Sequence, residues 1–304
     1  MTIGFLKKAK AFLPERSLKY LLHQHLNGPD PPRPLKTIHA SELTKPEGLC
    51  PRMYALADVT KTKLKDDWLT TSEQATYELG RKLQDSVVNW FADMGRAFCH
   101  WKCLACGSVH DFQLRPLKCQ QCGCKHFAPK EPRFESAISG ASCGVDVMLA
   151  LGAKKLTPVE IKTIDKDEFK ALKAPLAEHR WRTNLYLRII AESKEPWSDR
   201  VDTERAKVLY VSKGGYGCED DKLKQWGLNE RYSPFKEFEV ERKDAETDDL
   251  MLRAWVVSEF RKGTIGMPCG ICTTALSKRA QQCFMKGPCF SGAYPPEHQW
   301  QKDG

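Results

Sequence analysis

No stretch of the 304 residues approaches the roughly 18 to 20 consecutive apolar positions that a membrane span requires. The start of the chain, Met1 to Ala11 with Lys7, Lys8 and Lys10, lacks the apolar run and cleavage site of a secretory leader. Internal repeats and low-complexity tracts are also missing, which excludes solenoids and biased linkers as the main architecture. A soluble, cytoplasmic protein without a membrane partner is therefore expected. With 41% apolar residues, the chain has material for one sizeable α/β core plus appendages, and too little for two full enzyme domains.

What the chain does have is an uneven charge and many cysteines. The net charge of +9 sits at the ends: residues 1–40 carry seven Lys/Arg against two acids, and residues 261–304 carry six against two. Basic ends around a neutral centre suit a protein that grips a phosphate backbone and keeps carboxylates for metal ions. The competing reading is solvated termini that help solubility. Thirteen cysteines in a cytoplasmic chain are out of place as a disulfide framework, so metal ligation is the first reading. They group at 99–124 and 269–289, with Cys50, Cys143 and Cys218 apart.

Residues 3–26 read as a basic amphipathic helix, ended by the stiff linker Asn27-Gly28-Pro29-Asp30-Pro31-Pro32-Arg33-Pro34. The pattern Thr71-Ser72-Glu73-Gln74 opens a predicted helix over Thr70 to Met94 that stops at Gly95. Phe134 to Leu151 and Leu156 to Thr163 have the alternation of two or three strands. A second helix is expected over 167–193, with Trp181, Leu185, Tyr186 and Ile189 on or near one face, and a buried strand over Ala206 to Val211. An edge strand at 234–242 and a last helix at 246–262 complete a mixed α/β order.

Gly144-Val145-Asp146-Val147-Met148-Leu149 reads as one apolar strand carrying a single acid, and Val159-Glu160-Ile161-Lys162-Thr163 as its neighbour across a turn at 152–155. Residues two apart on a strand share a face, so Glu160 and Lys162 project together while Ile161 points into the core. Two carboxylates and an amine on one surface match what phosphodiester hydrolysis needs: hard oxygens for Mg²⁺ or Mn²⁺, and a cation near the nucleophile. An edge-strand ion pair with a stray turn aspartate is the alternative.

Cys103-x2-Cys106 and Cys119-x2-Cys122 stand twelve residues apart, each pair followed by a glycine (Gly107, Gly123) that permits a tight knuckle. That is the spacing of a zinc ribbon with four thiolates around one Zn²⁺, and a segment this short would take its folding energy from the ion. Its neighbours Trp101, Lys102, Lys118 and Lys125 are candidate nucleic-acid contacts. The late set Cys269-x2-Cys272-x10-Cys283-x5-Cys289 is a second metal centre; on its own it also fits a second zinc site.

Taken in order, Gly144-Val145-Asp146 followed by Val159-Glu160-Ile161-Lys162-Thr163 resembles the core motifs of RecB-like PD-(D/E)XK nucleases. Ser41-Glu42-Leu43 with Cys50-Pro51-Arg52 is similar to the amino-terminal cysteine motif of the iron–sulfur branch, which includes CRISPR-associated and phage exonucleases. The resemblance spans roughly 37–290, without 99–128. It implies a restriction-endonuclease-like core, a mixed sheet flanked by helices, over 37–98 and 129–262, behind a basic arm at 1–36. A zinc-ribbon insertion would occupy 99–128 and a cysteine-rich iron–sulfur clasp 263–304.

The same resemblance implies a metal-dependent DNA nuclease with exonuclease action on single strands or duplex ends, working in recombination, repair or replication. A phage origin, and hence a bacterial or host cytoplasm, goes with it, as does a replication or recombination partner protein. Asp146, Glu160 and the Ile161 carbonyl would hold Mg²⁺ or Mn²⁺, and Lys162 would position the attacking water. Gln84 stands where the family's Gly-x-x-x-His motif, here Gly80 to Gln84, carries a metal-holding histidine, which makes it a further catalytic candidate, as a ligand or substrate contact; Arg182 stands where a glutamine precedes Tyr186. Arg182, Tyr186 and His179 are the DNA-contact candidates. Cys50, Cys272, Cys283 and Cys289, with Cys269 as a fifth candidate, would hold a four-iron four-sulfur cluster. The rival is a catalytically inactive nucleic-acid-binding or accessory protein held together by its metals.

Overall fold

The computed structural model describes Leu22, Leu26 and residues 37–291, apart from 45–47, 63–69, 153, 215–216 and 229. Leu22 and Leu26 are helical; the remainder of the expected arm and linker, and the tail beyond 291, lie outside the described residues. The body begins with β1 (Ile38–His39) and α1 (Ala40–Leu43). Cys50 is the N-cap of α2 (Pro51–Val59), whose first position takes a proline because no N–H is needed there.

The helix expected over 70–94 is α3 (Thr71–Asp93), and its capping box sits one residue upstream of the pattern that announced it. The Glu73 N–H donates to the Thr70 hydroxyl, and the Thr70 N–H donates to the Glu73 carboxylate at 2.7 Å. The helix stops where Gly95 adopts φ +66°.

Three strands follow, β2 (Ala97–Cys103), β3 (Val109–Leu114) and β4 (Phe127–Lys130), then β5 (Arg133–Glu135), β6 (Ala141–Gly144), β7 (Val147–Leu149) and β8 (Thr157–Ile164). The single strand expected over 144–149 is thus two strands with a bend at 145–146, because β6 and β7 belong to different sheets. The single helix expected over 167–193 is likewise two, α4 (Lys166–Ala171) and α5 (Ala177–Ala191). Pro175 explains the break: it has no N–H to give and its ring disfavours helical geometry at the residue before it. The chain continues through β9 (Arg205–Ser212), β10 (Cys218–Glu219), α6 (Asp221–Gln225), β11 (Tyr232–Ser233) and β12 (Phe235–Glu241). α7 (Asp248–Lys262), closed by left-handed Gly263, leads to α8 (Lys278–Gln282) and α9 (Lys286–Ser291).

Among the described residues the main sheet runs β12-β9-β8-β7-β2-β3, with β4 pairing β2 beside β7. Only β8 and β9 pair in parallel within it, so the sheet is mixed. A smaller sheet, β1-β6-β5, lies alongside. Alternation along the strands sorts side chains between two layers. Val147, Leu149, Val159 and Ile161 pack with Val87 and Val88 of α3. Met148 packs on the opposite side with Leu185, Tyr186 and Ile189 of α5. Each fully buried aliphatic side chain of this kind contributes about 1.5–3 kcal/mol, which is what holds α3 and α5 to the two faces.

Two features fill in the expected outline. The cysteine-rich segment, expected as an insertion at 99–128 between helix and sheet, is continuous with the core sheet: β2 pairs with β7 through Ala97↔Leu149 and Phe98↔Met148, and β4 takes over from His100. Trp101 is fully buried there and donates from Nε1 to the Gln113 carbonyl, which withdraws it from the candidate nucleic-acid contacts. At the far end, α2 packs against α7 and α9, with Leu56, Met267 and Met285 in one cluster. Arg261 pairs with Asp58 at 2.8 Å, and Arg279 donates to the Gly48 carbonyl at 2.6 Å, so the late basic residues fasten the segment that carries Cys50. No helix among the described residues is long and apolar enough to cross a membrane.

Candidate active site and cysteine centres

The antiparallel register Val147↔Val159 sets Asp146 beside Glu160 at the mouth of the β7–β8 pair. Asp146 is not held by ladder bonds; it sits in the bend, where its two oxygens accept from two different donors. The Ile161 N–H reaches Oδ2 at 2.6 Å, and the Gln84 amide reaches Oδ1 at 2.6 Å. Gln84 arrives because α3 lies unusually close to β8 one turn earlier: a Cβ on Gly80 would meet the Thr163 hydroxyl at 2.9 Å, so glycine is required at that crossing. Glu160 and Lys162 share a face of β8, as the period-two reading expects, and pair at 2.5 Å. Ile161 points the other way, into the cluster beneath α3.

Both acids are buried, Asp146 at 8% and Glu160 at 2% exposure. Burial and then the charge on Glu160 push the Asp146 carboxyl well above the usual carboxylate range. Burial works against the Lys162 ammonium, but Glu160 and Asp146 outweigh it and hold its pKa above the ordinary value. The second oxygen of Glu160, Oε2, is buried with no hydrogen-bond partner, an arrangement that costs free energy unless something positive occupies the space beside it. Two carboxylates, one with an unsatisfied oxygen, are hard donors suited to a divalent cation.

The three residues expected to touch DNA separate here. Arg182 of α5 is half-buried, with Nε 3.4 Å from the Thr44 hydroxyl. Tyr186 and His179 are buried, which corrects the expectation that either reaches a phosphate directly. Tyr186 lies close enough to Glu160 and Asp146 for both charges to act on it; burial and those charges push its phenol well above the usual range. His179 accepts at Nδ1 from the Tyr210 hydroxyl at 2.8 Å, since that oxygen already accepts from the Leu176 N–H. Its Nε2 faces Glu178 at 3.1 Å; with the ring neutral this is a hydrogen bond and not an ion pair.

Burial, then Lys162 and Arg182, lower the His179 pKa to about 3. The unfolded chain takes up this proton below about pH 6.5, whereas the folded chain refuses it until about 3. The contribution of His179 to stability is therefore complete above the unfolded value and is lost as pH falls through that window, by at most about 1.4 kcal/mol per pH unit. Urea midpoints measured at about pH 7.5 and about pH 5 should differ more for the wild type than for His179→Gln. Equal differences would contradict a neutral buried ring.

The structure adds one acid that the sequence reading passed over. Glu131, exposed and directly after β4, is close enough to Asp146 for its charge to act there. No local pattern marks it, because its position depends on strand pairing after a long insertion.

The four ribbon cysteines come together as their spacing predicts. Cys103 and Cys122 sulfurs are 3.6 Å apart, Cys106 and Cys119 sulfurs 3.7 Å, and all four lie within 4.8 Å of one another. Tetrahedral thiolates with bonds of about 2.3 Å stand about 3.8 Å apart, so the group fits a single ion. Gly107 and Gly123, at φ +76° and +73°, turn each knuckle, with their N–H groups donating to the Cys103 and Cys119 carbonyls. Cys50, Cys272, Cys283 and Cys289 line one small cavity between α2, α8 and α9; Cys269 does not line it. Burial and the neighbouring Cys50 and Cys272 raise the Cys283 thiol. Among the described residues the 4.8 Å closeness belongs to the ribbon thiols, so this second set is spread wider than ligands of one small ion.

No protein-family model and no curated protein matches the chain. Among solved structures, the alkaline exonuclease LHK-Exo from Laribacter hongkongensis is similar at a TM-score of 0.41 and 10% identity, over 76% of this chain and 90% of that one. LHK-Exo in complex with dAMP gives 0.39 and 11% over the same shares. The protein SSO0001 gives 0.36 and 14%, over 97% of this chain and 100% of that one. Likenesses of this size leave the assignment to the chemistry of the site.

Proposed function

We propose that the chain is a divalent-cation-dependent deoxyribonuclease of the RecB-like PD-(D/E)XK kind, acting as an exonuclease on duplex ends or single strands in recombination, repair or replication. The observation that carries this reading is the buried Asp146–Glu160 pair beside Lys162, with Glu160 Oε2 left unsatisfied. Asp146, Glu160 and the Ile161 carbonyl would hold Mg²⁺ or Mn²⁺, which polarises the phosphate and lowers the pKa of a water. The Ile161 N–H and the Gln84 amide fix the Asp146 carboxylate, so its orientation is set before any ligand arrives. Lys162 remains an ammonium at neutral pH and orients the attacking oxygen while balancing charge on the phosphate. Arg182, half-buried on the facing helix, supplies a phosphate contact, and the basic chain ends grip the backbone further along.

In this reading the four ribbon thiols hold structural Zn²⁺, and Cys50, Cys272, Cys283 and Cys289 hold a four-iron four-sulfur cluster that ties the chain's early and late segments together. Protein purified without oxygen should show the broad visible absorption of a cysteine-ligated cluster. Cys272→Ser should lose that band and its iron, while Cys269→Ser should keep both. Equal loss in the two variants would mean that Cys269 is a ligand after all.

End-labelled linear DNA, single- and double-stranded, incubated with Mn²⁺ tests the activity. The wild type is expected to shorten it from the ends, and Lys162→Met to do so at least about a hundredfold more slowly. No shortening by wild type, with DNA binding intact, would place the protein among non-catalytic nucleic-acid binders.

A further inference from the structure

The slot beside β2 changes hands next to Asp146. β7 fills it at Ala97 and Phe98, and that register carried two residues further would set Asp146 opposite His100. There the slot belongs to β4 instead, with Lys130 opposite His100. The ribbon thus joins the core sheet at the bend that carries the acid, and Lys130 is the residue at the junction.

The period of the strands decides which way the ribbon's side chains face. Ala97, Cys99, Trp101 and Cys103 pack in the cluster beneath α3, whereas Phe98 lies opposite Met148 and packs with it toward α5. Lys102 follows Phe98 and His100 in the same alternation, and Lys130 shares their side because it stands opposite His100. Met148 in turn lies opposite Pro158, which puts Glu160 and Lys162 on that side of the sheet as well. Lys102 and Lys130 therefore belong to the face that carries the site, and both are exposed. Lys102 stands about 7 Å beyond His100 along the strand, on the way out from Asp146, and exposed Lys118 and Lys125 flank the second knuckle further on.

The charge of this segment departs from the neutral centre of the chain. From Cys99 to Lys130 there are five Lys/Arg and a single acid, Asp111. Arg115 is used internally, paired with Asp93. Among the described residues none of Lys102, Lys118, Lys125 and Lys130 has an ion-pair partner. Unpaired ammonium groups leading out from a cation site suit an extended polyanion, and a single strand of DNA is one.

We infer that the cysteine ribbon is a phosphate rail, on which Lys130 and Lys102, then Lys118 and Lys125, hold the backbone of a DNA strand whose end lies at the Asp146–Glu160 site. The inference rests on the nuclease reading above and deepens it by naming the surface that holds the remainder of the substrate. It is tested with the full chain, ribbon metal in place and no Mg²⁺ or Mn²⁺ added, by fluorescence anisotropy of an end-labelled single-stranded oligonucleotide over a series of salt concentrations. Lys102→Gln/Lys130→Gln should bind about tenfold more weakly near 0.1 M salt, with a salt dependence shallower by about 1.4, two phosphates at about 0.7 each. Lys102→Arg/Lys130→Arg keeps both charges and should bind as the wild type does. Lys154→Gln/Lys155→Gln should also match the wild type, since these exposed lysines sit on the turn at the far end of β7 and β8 from Asp146. Wild-type affinity and slope in the 102/130 glutamine pair would overturn this inference alone. Equal weakening by the 154/155 pair would reduce the effect to net charge, and equal weakening by the arginine pair would assign it to strand packing; either would overturn it too. A wild type that binds no DNA would overturn the nuclease reading along with it.

Discussion

Asp146→Asn should lower hydrolysis of linear DNA by about a thousandfold or more while leaving the fold at least as stable as the wild type in the absence of divalent cations. The two halves of this expectation have one cause. Asp146 is buried next to Glu160, and both burial and that neighbour work against its ionised form. A neutral asparagine of the same shape removes the repulsion. It also keeps the hydrogen bonds: its carbonyl oxygen accepts from the Ile161 N–H, and Gln84 can turn its amide so that its oxygen receives the new NH₂ group. What is lost is the anionic oxygen that a cation requires. A variant inactive because it is unfolded would show a lower melting temperature; the expected variant is inactive with an unchanged or higher one. Loss of activity together with a fall in melting temperature would mean that Asp146 serves mainly to hold the bend between the two sheets.

Cys119→Ser should release one equivalent of ribbon metal and open the segment between Cys103 and Phe127 to protease. Little besides the ion would hold the two knuckles of this segment, whereas β3 between them is paired to β2. The buried side chains near its base, Trp101, Phe112 and Phe127, are anchored to the core sheet, whereas Leu104 and Leu117 at the knuckles are exposed. Structural zinc in small peptides supplies on the order of 10 kcal/mol of apparent folding free energy, so its loss outweighs what these contacts offer. Opening should halt at the foot of β2, where Ala97 and Phe98 pair with β7. Hydrogen exchange would therefore rise steeply at the knuckles, 104–108 and 117–126, and stay low at 97–98. DNA hydrolysis should fall far less than at Asp146, because Asp146 and Glu160 are held by the β7–β8 pair of the core sheet and not by the knuckles. Unchanged protection of the knuckles would show that the ribbon folds without a metal.

Much of this was legible in the sequence, and the exceptions share a physical cause. The Glu160–Lys162 face follows from the period of a strand, and the four-thiol group from paired cysteines with trailing glycines, because both are local patterns. Gly144 to Leu149 misled because β6 and β7 are buried on both faces, so no polar alternation marks the place where the chain leaves one sheet for the other. The break at Pro175 carried its own signal, outweighed by continuous helical spacing on either side. Tyr186 and His179 could be placed on a helix facing the acids, but their depth depends on how closely α5 packs on the sheet. The charge of Glu131 near Asp146 was out of reach altogether, since only the register of β5 with β6 brings the two segments together.

Crystals soaked in Mn²⁺ and measured at the manganese absorption edge bear most directly on the central claim, that one divalent ion is shared by acids from two neighbouring strands. An anomalous peak within coordination range of a carboxylate oxygen from both Asp146 and Glu160, with the Lys162 ammonium beside it, is the expected result. A peak bound to one of these acids alone, or none at saturating Mn²⁺, would contradict it.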